Sequence, residues 1–263
     1  VSDLPEVLYL SASPHLAAFD RPLVQSLSEQ TTVAHWEYEL TPDEPCSLEV
    51  ALVLLHDYLK QCDRPVHLIG HGVSGLLGLM YAQRHPERAQ SLVLLSVGAY
   101  PAVDWQAHYY AQRQILPCSR QVILTRMVDA LFGYSSLAMA KVLVKILERD
   151  LDCSLSPHSL IKQVSLPPIE VSLPLLVCGS VDDAIIDPLQ LRSWEEYFGE
   201  NTDSRLWVCP GGRYFFHYFY SPQVAAEISC FWRLLSQSGD RCGEKALPLE
   251  VMSKNLLAGQ ERW

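Results

Sequence analysis

No apolar run in the sequence approaches the roughly 18 residues that a membrane-spanning helix needs. The longest runs, such as Ser91–Ala99, are strand-length. A basic cluster is also missing. Lys and Arg number 20 against 30 Asp and Glu, which gives a formal net charge of −10. Such a chain has no electrostatic footprint for phosphates, so neither nucleic acid nor an anionic membrane surface is an expected partner. The first residues lack the basic n-region of a secretory signal. The eight cysteines form no C-x-x-C pair, and no histidine cluster has zinc-ligand spacing, so no metal is expected. The thiols read as reduced in a soluble, cytoplasmic protein, with Cys178 and Cys209 in the core. No G-x-G-x-x-G follows a strand, and no lysine follows the Gly70–Gly75 turn. Dinucleotide and P-loop chemistry are therefore unsupported, and no cofactor is expected.

What is present is apolar and long. The chain has 263 residues, 49% of them hydrophobic. A domain of this size buries roughly three quarters of its unfolded surface. Short apolar runs predict strands at Val7–Leu10, Thr31–Tyr38, Val66–Gly70, Leu92–Ser96, Leu175–Gly179 and Arg205–Cys209. Between them, helical patterning covers Leu16–Gln30, Leu48–Cys62 with Ser47 as its cap, Ser74–His85, Pro188–Phe198 and Pro222–Ser236. Strands that are apolar throughout and alternate with helices predict an α/β fold, a mostly parallel sheet covered by helices on both faces.

About eighty residues without strand character separate the fourth and fifth strands. Leu124, Met127, Val128, Leu131 and Phe132 follow helical spacing, as do Met139, Val142, Leu143, Ile146 and Leu147. These predict two amphipathic helices forming an inserted cap. The expected division is a core over residues 1–99 and 167–236, a helical cap over 100–166 and a polar tail over 237–263. That tail holds one helix candidate, Leu249–Leu257.

The central segment reads Val66-His67-Leu68-Ile69-Gly70-His71-Gly72-Val73-Ser74-Gly75-Leu76-Leu77-Gly78. It continues through Tyr81-Ala82-Gln83-Arg84-His85-Pro86-Glu87-Arg88 into Ser91-Leu92-Val93-Leu94-Leu95. This series of strand, sharp turn, helix, HPER and strand resembles the nucleophile-elbow region of the α/β-hydrolase superfamily. Downstream, Val177-Cys178-Gly179-Ser180-Val181-Asp182 resembles the segment that delivers the family's acid, at Asp182. Cys209-Pro210-Gly211-Gly212 before the last helix resembles the segment that delivers its histidine.

Three elements depart from that pattern. Where the family carries G-x-S-x-G, this chain has Gly70-His71-Gly72-Val73-Ser74, so Gly72 stands at the nucleophile position. Arg213 stands at the histidine position, and an arginine cannot act as a general base near neutral pH. The oxyanion loop, which usually begins His-Gly, reads Ser11-Ala12-Ser13-Pro14-His15. Triad residues act as a unit, so these losses point to an α/β-hydrolase-like protein without an intact Ser-His-Asp triad. A non-catalytic protein binding a small apolar ligand or a protein partner is the preferred reading. Two alternatives stay open. One is a divergent esterase-like hydrolase using Ser74, His217 and Asp182. The other is an enzyme of different chemistry in the same pocket. Ser13, His71, Gly72, Val73, Trp105, Arg213, Tyr214 and Phe215 are the candidate binding residues. Asp182 is expected to cap a turn or to pair with Arg213, and Asp183 to cap the turn that follows.

Overall fold

Residue alternation along the strands sorts the core into two sets. Leu8, Leu10 and Leu68 face one side of the sheet, and Val7, Tyr9 and Ile69 the other. Both sets are buried, so each face needs its own layer of helices. A computed structural model of the chain supplies them and describes residues 5–41, 43–133, 136–198 and 203–243.

The strands are β1 (Val7–Ser11), β2 (Val33–Glu37), β3 (Val66–His71), β4 (Ala89–Leu95), β5 (Leu175–Ser180) and β6 (Arg205–Cys209). They pair in the order β2-β1-β3-β4-β5-β6, and every pairing is parallel. The helices α1 (Arg21–Ser28) and α9 (Ser221–Gly243) cover one face through Leu23, Leu27, Val224, Ile228 and Phe231. The helices α2 (Leu48–Leu59) and α3 (Val73–Arg84) cover the other. Gly75 lets α3 lie close to the sheet. A Cβ there would meet the Gly70 carbonyl oxygen at 2.9 Å and Val97 at 2.6 Å.

The segment between β4 and β5 folds as three helices rather than two: α4 (Trp105–Ile115), α5 (Arg120–Phe132) and α6 (Leu137–Cys153). Each has a side-chain cap. Asp104, Ser119 and Ser136 accept backbone N–H groups of Ala107, Val122 and Met139. The α5 stripe is buried as its spacing predicts. On α6, Leu143 and Leu147 are buried, but Met139 and Val142 are exposed.

Other boundaries shift for local reasons. The stretch predicted as one helix over Leu16–Gln30 is a 3-10 turn (Pro14–Phe19) followed by α1. Pro22 starts a new helix and leaves Asp20 at the junction. Ser47 precedes α2, but its side chain makes no cap bond. The stretch Pro188–Phe198 divides into α7 (Pro188–Arg192) and a 3-10 turn (Ser193–Tyr197). The one-turn helix α8 (Phe216–Phe219) precedes α9. The tail helix expected at Leu249–Leu257 lies outside the described residues. Among the described residues, no single helix is long and apolar enough to cross a membrane.

Candidate functional site

The turn from β3 into α3 puts Gly72 at φ +52°, ψ −122°. That backbone region is open essentially to glycine alone. The Gly72 N–H is held by the Leu95 carbonyl at 3.0 Å. A Cβ built on Gly72 would collide with the Tyr214 hydroxyl. Tyr214 is fully buried and tightly held. Its carbonyl accepts from His71 Nε2 (2.9 Å) and the Ser96 hydroxyl (3.0 Å), and its hydroxyl accepts the Trp105 N–H. Burial, followed by the charges of Asp104, Asp183 and Asp150, pushes its phenol well above the usual range, so it stays protonated.

The space left at the elbow is a cavity of about 20 Å³. Ser13, His71, Gly72, Val73, Ser74, Trp105 and Tyr214 line it, together with Asp20, Asp104 and Gln106. A volume of that size holds about one water molecule. Six of the eight candidate binding residues therefore meet here. Phe215 does not: it stacks on Phe132 at 4.5 Å and also meets Phe19, joining the cap to the body. Arg213 points away as well, and its guanidinium donates to the Asp129 carbonyl near the end of α5 at 2.9 Å.

Ser74, His217 and Asp182 each have other partners. Ser74 Oγ accepts the Ala12 N–H at 2.9 Å, tying α3 to the loop after β1. Asp182 accepts from the Ser180 hydroxyl (2.6 Å) and the Arg213 backbone N–H (2.8 Å). The expected Asp182–Arg213 contact thus runs through the main chain, with a weaker attraction to the guanidinium. Burial works against the Asp182 charge, but the Ser180 and Arg213 bonds outweigh it and hold the carboxyl below its ordinary range. Asp183 accepts the N–H groups of Ile185 and Ile186 and forms the turn beyond β5.

His217 is buried on α8, and its Nε2 donates to Asp20 Oδ1 at 2.9 Å. The same oxygen accepts from the Tyr9 hydroxyl at 2.9 Å. The His71 ring lies 4.4 Å from the His217 ring, centroid to centroid. Burial pushes both imidazoles down to about 3, so both are neutral at physiological pH. Burial raises Asp20 to about 6, opposed by His71 and the Tyr9 bond. Asp20 and Tyr9 are absent from the residues that the sequence offers. The one local signal is Asp20 standing before Arg21-Pro22, a helix start, which marks a cap rather than a site.

No family model matches the sequence. Two cyanobacterial proteins are similar along most of their length. One is the uncharacterized protein sll0249 of Synechocystis sp., 44% identical over 229 residues that cover 87% of this chain and 90% of that protein. The other is the uncharacterized protein alr2406 of Nostoc sp., 43% identical over 234 residues, covering 89% and 93%. Among solved structures, a membrane phospholipase A described as a bacterial virulence factor superposes with a TM-score of 0.66 at 17% identity, covering 90% of this chain and 81% of that one. A thermophilic esterase gives 0.65 at 16% identity, covering 89% and 91%. A meta-cleavage product hydrolase from Pseudomonas fluorescens gives 0.62 at 13% identity, covering 86% and 89%. At such identities the likeness is one of fold. The parallel sheet, the glycine elbow between β3 and α3 and these superpositions define an α/β-hydrolase fold. Within it, the chain belongs to one family with the two cyanobacterial proteins.

Proposed function

We propose that this protein is a non-catalytic member of the α/β-hydrolase fold that acts by binding a protein partner. The Tyr214 hydroxyl carries the reading, because it fills the space that a nucleophile's Cβ would need at Gly72. Three further observations support it. Arg213 stands at the histidine position and cannot take a proton from a nucleophile. Ser74 is spent on the Ala12 N–H, a candidate oxyanion donor in the loop after β1. The cavity of about 20 Å³ is far smaller than a pocket for an acyl chain or another apolar ligand.

Recognition then falls to the outer surface. The cap exposes Val122 on α5 and Leu137, Met139 and Val142 on α6, apolar side chains suited to a protein interface. Labelling with a fluorophosphonate probe, followed by peptide mass spectrometry and a heat-denatured control, tests the reading. No adduct specific to the folded protein is expected. A folded-state adduct on Ser74 overturns the reading in favour of a hydrolase using Ser74, His217 and Asp182.

A further inference from the structure

The sheet ends on one side in β2, the stretch Val33-Ala34-His35-Trp36-Glu37. Its bonds to β1 settle which way each peptide group points. The Val7 N–H donates to the Thr32 carbonyl, and the Tyr38 N–H donates to the Ser11 carbonyl. Peptide direction alternates along a strand, so Ala34 and Trp36 turn their N–H and C=O groups towards β1. Val33, His35 and Glu37 turn theirs outwards. Among the described residues, those outward groups have no partner.

An open edge is often blunted by a proline, a lysine or a bulge. β2 has none of these, and its register with β1 runs unbroken. Its side chains are open as well as its main chain. His35 and Glu37 are exposed, and they line a pocket of about 270 Å³ with Asp20, Arg21 and Val24.

We propose that β2 is the contact between two copies of this chain, paired antiparallel about a two-fold axis at Trp36. Outward groups bond only to outward groups, so the residues facing each other must both come from the set Val33, His35 and Glu37. An axis at His35 sets that residue against itself and Glu37 against Val33. An axis at Ala34 sets His35 against Val33 and leaves Glu37 beyond the ladder. The axis at Trp36 sets His35 against Glu37 of the second copy, and the symmetry makes that pair twice. An imidazole N–H then donates to a carboxylate at both places, and each pair also exchanges its two main-chain bonds. The same axis brings the two Trp36 residues together as a close, non-hydrogen-bonded pair, the position in which cross-strand aromatic contacts are strongest. Trp36 is already held by its stack on Tyr38 at 6.2 Å. The opposite edge, β6, carries Arg205 as its single charged residue, so no two-fold pairing gives it an opposite charge. The β2 contact is isologous and closed, and it joins the two six-stranded sheets into one. Its size places it among weak, reversible contacts.

The test uses the full chain. Analytical ultracentrifugation up to about 0.5 mM is combined with amide exchange by NMR at low and high concentration. A monomer–dimer equilibrium is expected. The Val33, His35 and Glu37 amides should exchange more slowly as concentration rises, and those of β6 should not change. His35→Glu and Glu37→His each place like groups opposite one another, and each alone should weaken the dimer roughly 5- to 30-fold. The double swap restores opposite partners and should return the affinity to within about threefold of the parent. Glu37→Pro removes an outward N–H but no bond to β1. It should weaken the dimer about 10-fold or more and leave the monomer folded, as thermal unfolding checks. A chain that stays monomeric at the highest concentration overturns the proposal. So does a dimer that neither the single swaps nor Glu37→Pro weaken, because it then uses another surface. The inference rests on main-chain direction rather than on Gly72, so it and the proposed function fail separately.

Discussion

Gly72 holds a backbone conformation that other residues resist, and Tyr214 occupies the space beside it. Gly72→Ser is therefore expected to destabilise the protein by about 3 kcal/mol, from backbone strain together with overpacking. Adding Tyr214→Phe to that variant removes the colliding oxygen and should return part of the loss, measured by urea denaturation of the two single variants and the pair. On the proposed reading, in which Arg213 takes the place of the base, neither change is expected to yield ester turnover. At this scale the sequence is informative only over short distances. Gly72 and Arg213 are legible because each is placed by neighbouring glycines, Gly70 in one case and Gly211-Gly212 in the other. The Tyr214 hydroxyl beside Gly72 and the Asp20–His217 bond join positions more than a hundred residues apart, and no periodicity carries that information.

Arg213 belongs to the scale of elements, because it fastens the loop after β6 to the cap. Its backbone is at φ +53°, unusual outside glycine, and its guanidinium reaches the Asp129 carbonyl on α5. Two substitutions separate these roles. Arg213→Ala loses the tie and keeps the strain, and should cost about 1–2 kcal/mol. Arg213→Gly also loses the tie but relieves the strain, and should be about 1 kcal/mol less damaging. Denaturation midpoints compare the two, and hydrogen exchange near Asp129 should quicken in both. Helix ends are where the sequence reading slipped most. Pro22 divides a stretch that looks continuous by apolar spacing, and that division is what delivers Asp20 to the site. Met139 and Val142 show the converse case, in which helical spacing is right and burial does not follow. Spacing identifies an amphipathic face, but not how much of it a neighbour covers.

Over the whole molecule, buried titrating groups set how stability responds to acid. His67, His71 and His217 are held by burial at about 4, 3 and 3, below the ordinary histidine value of 6.5. The unfolded chain therefore binds these protons first. Their contribution is complete above pH 6.5 and is lost as pH falls towards 4 and below. Asp20, Asp150 and Asp183 are raised by burial to about 6, so the folded chain binds their protons first and gains stability between pH 6 and 4. The two sets largely cancel in that window. His67→Gln removes one member of the first set. The stability gap between variant and parent should narrow by about 2 kcal/mol from pH 7 to pH 4, less than the full shift because the ring is partly open to solvent. Denaturation measured across that range checks it.

The Asp20–His217 bond joins residues 197 positions apart. Closing so large a loop costs chain entropy that local contacts cannot repay early, and parallel sheets are slow to assemble for the same reason. Nearly all of the sheet lies between the two residues in the chain, from β2 to β6. Their pairing therefore belongs to the end of folding, after the strands have docked and α8 has been carried across to the start of α1. A chain still emerging from the ribosome has Asp20 and Tyr9 long before His217 exists, so the buried cluster can be completed only once synthesis has passed α8.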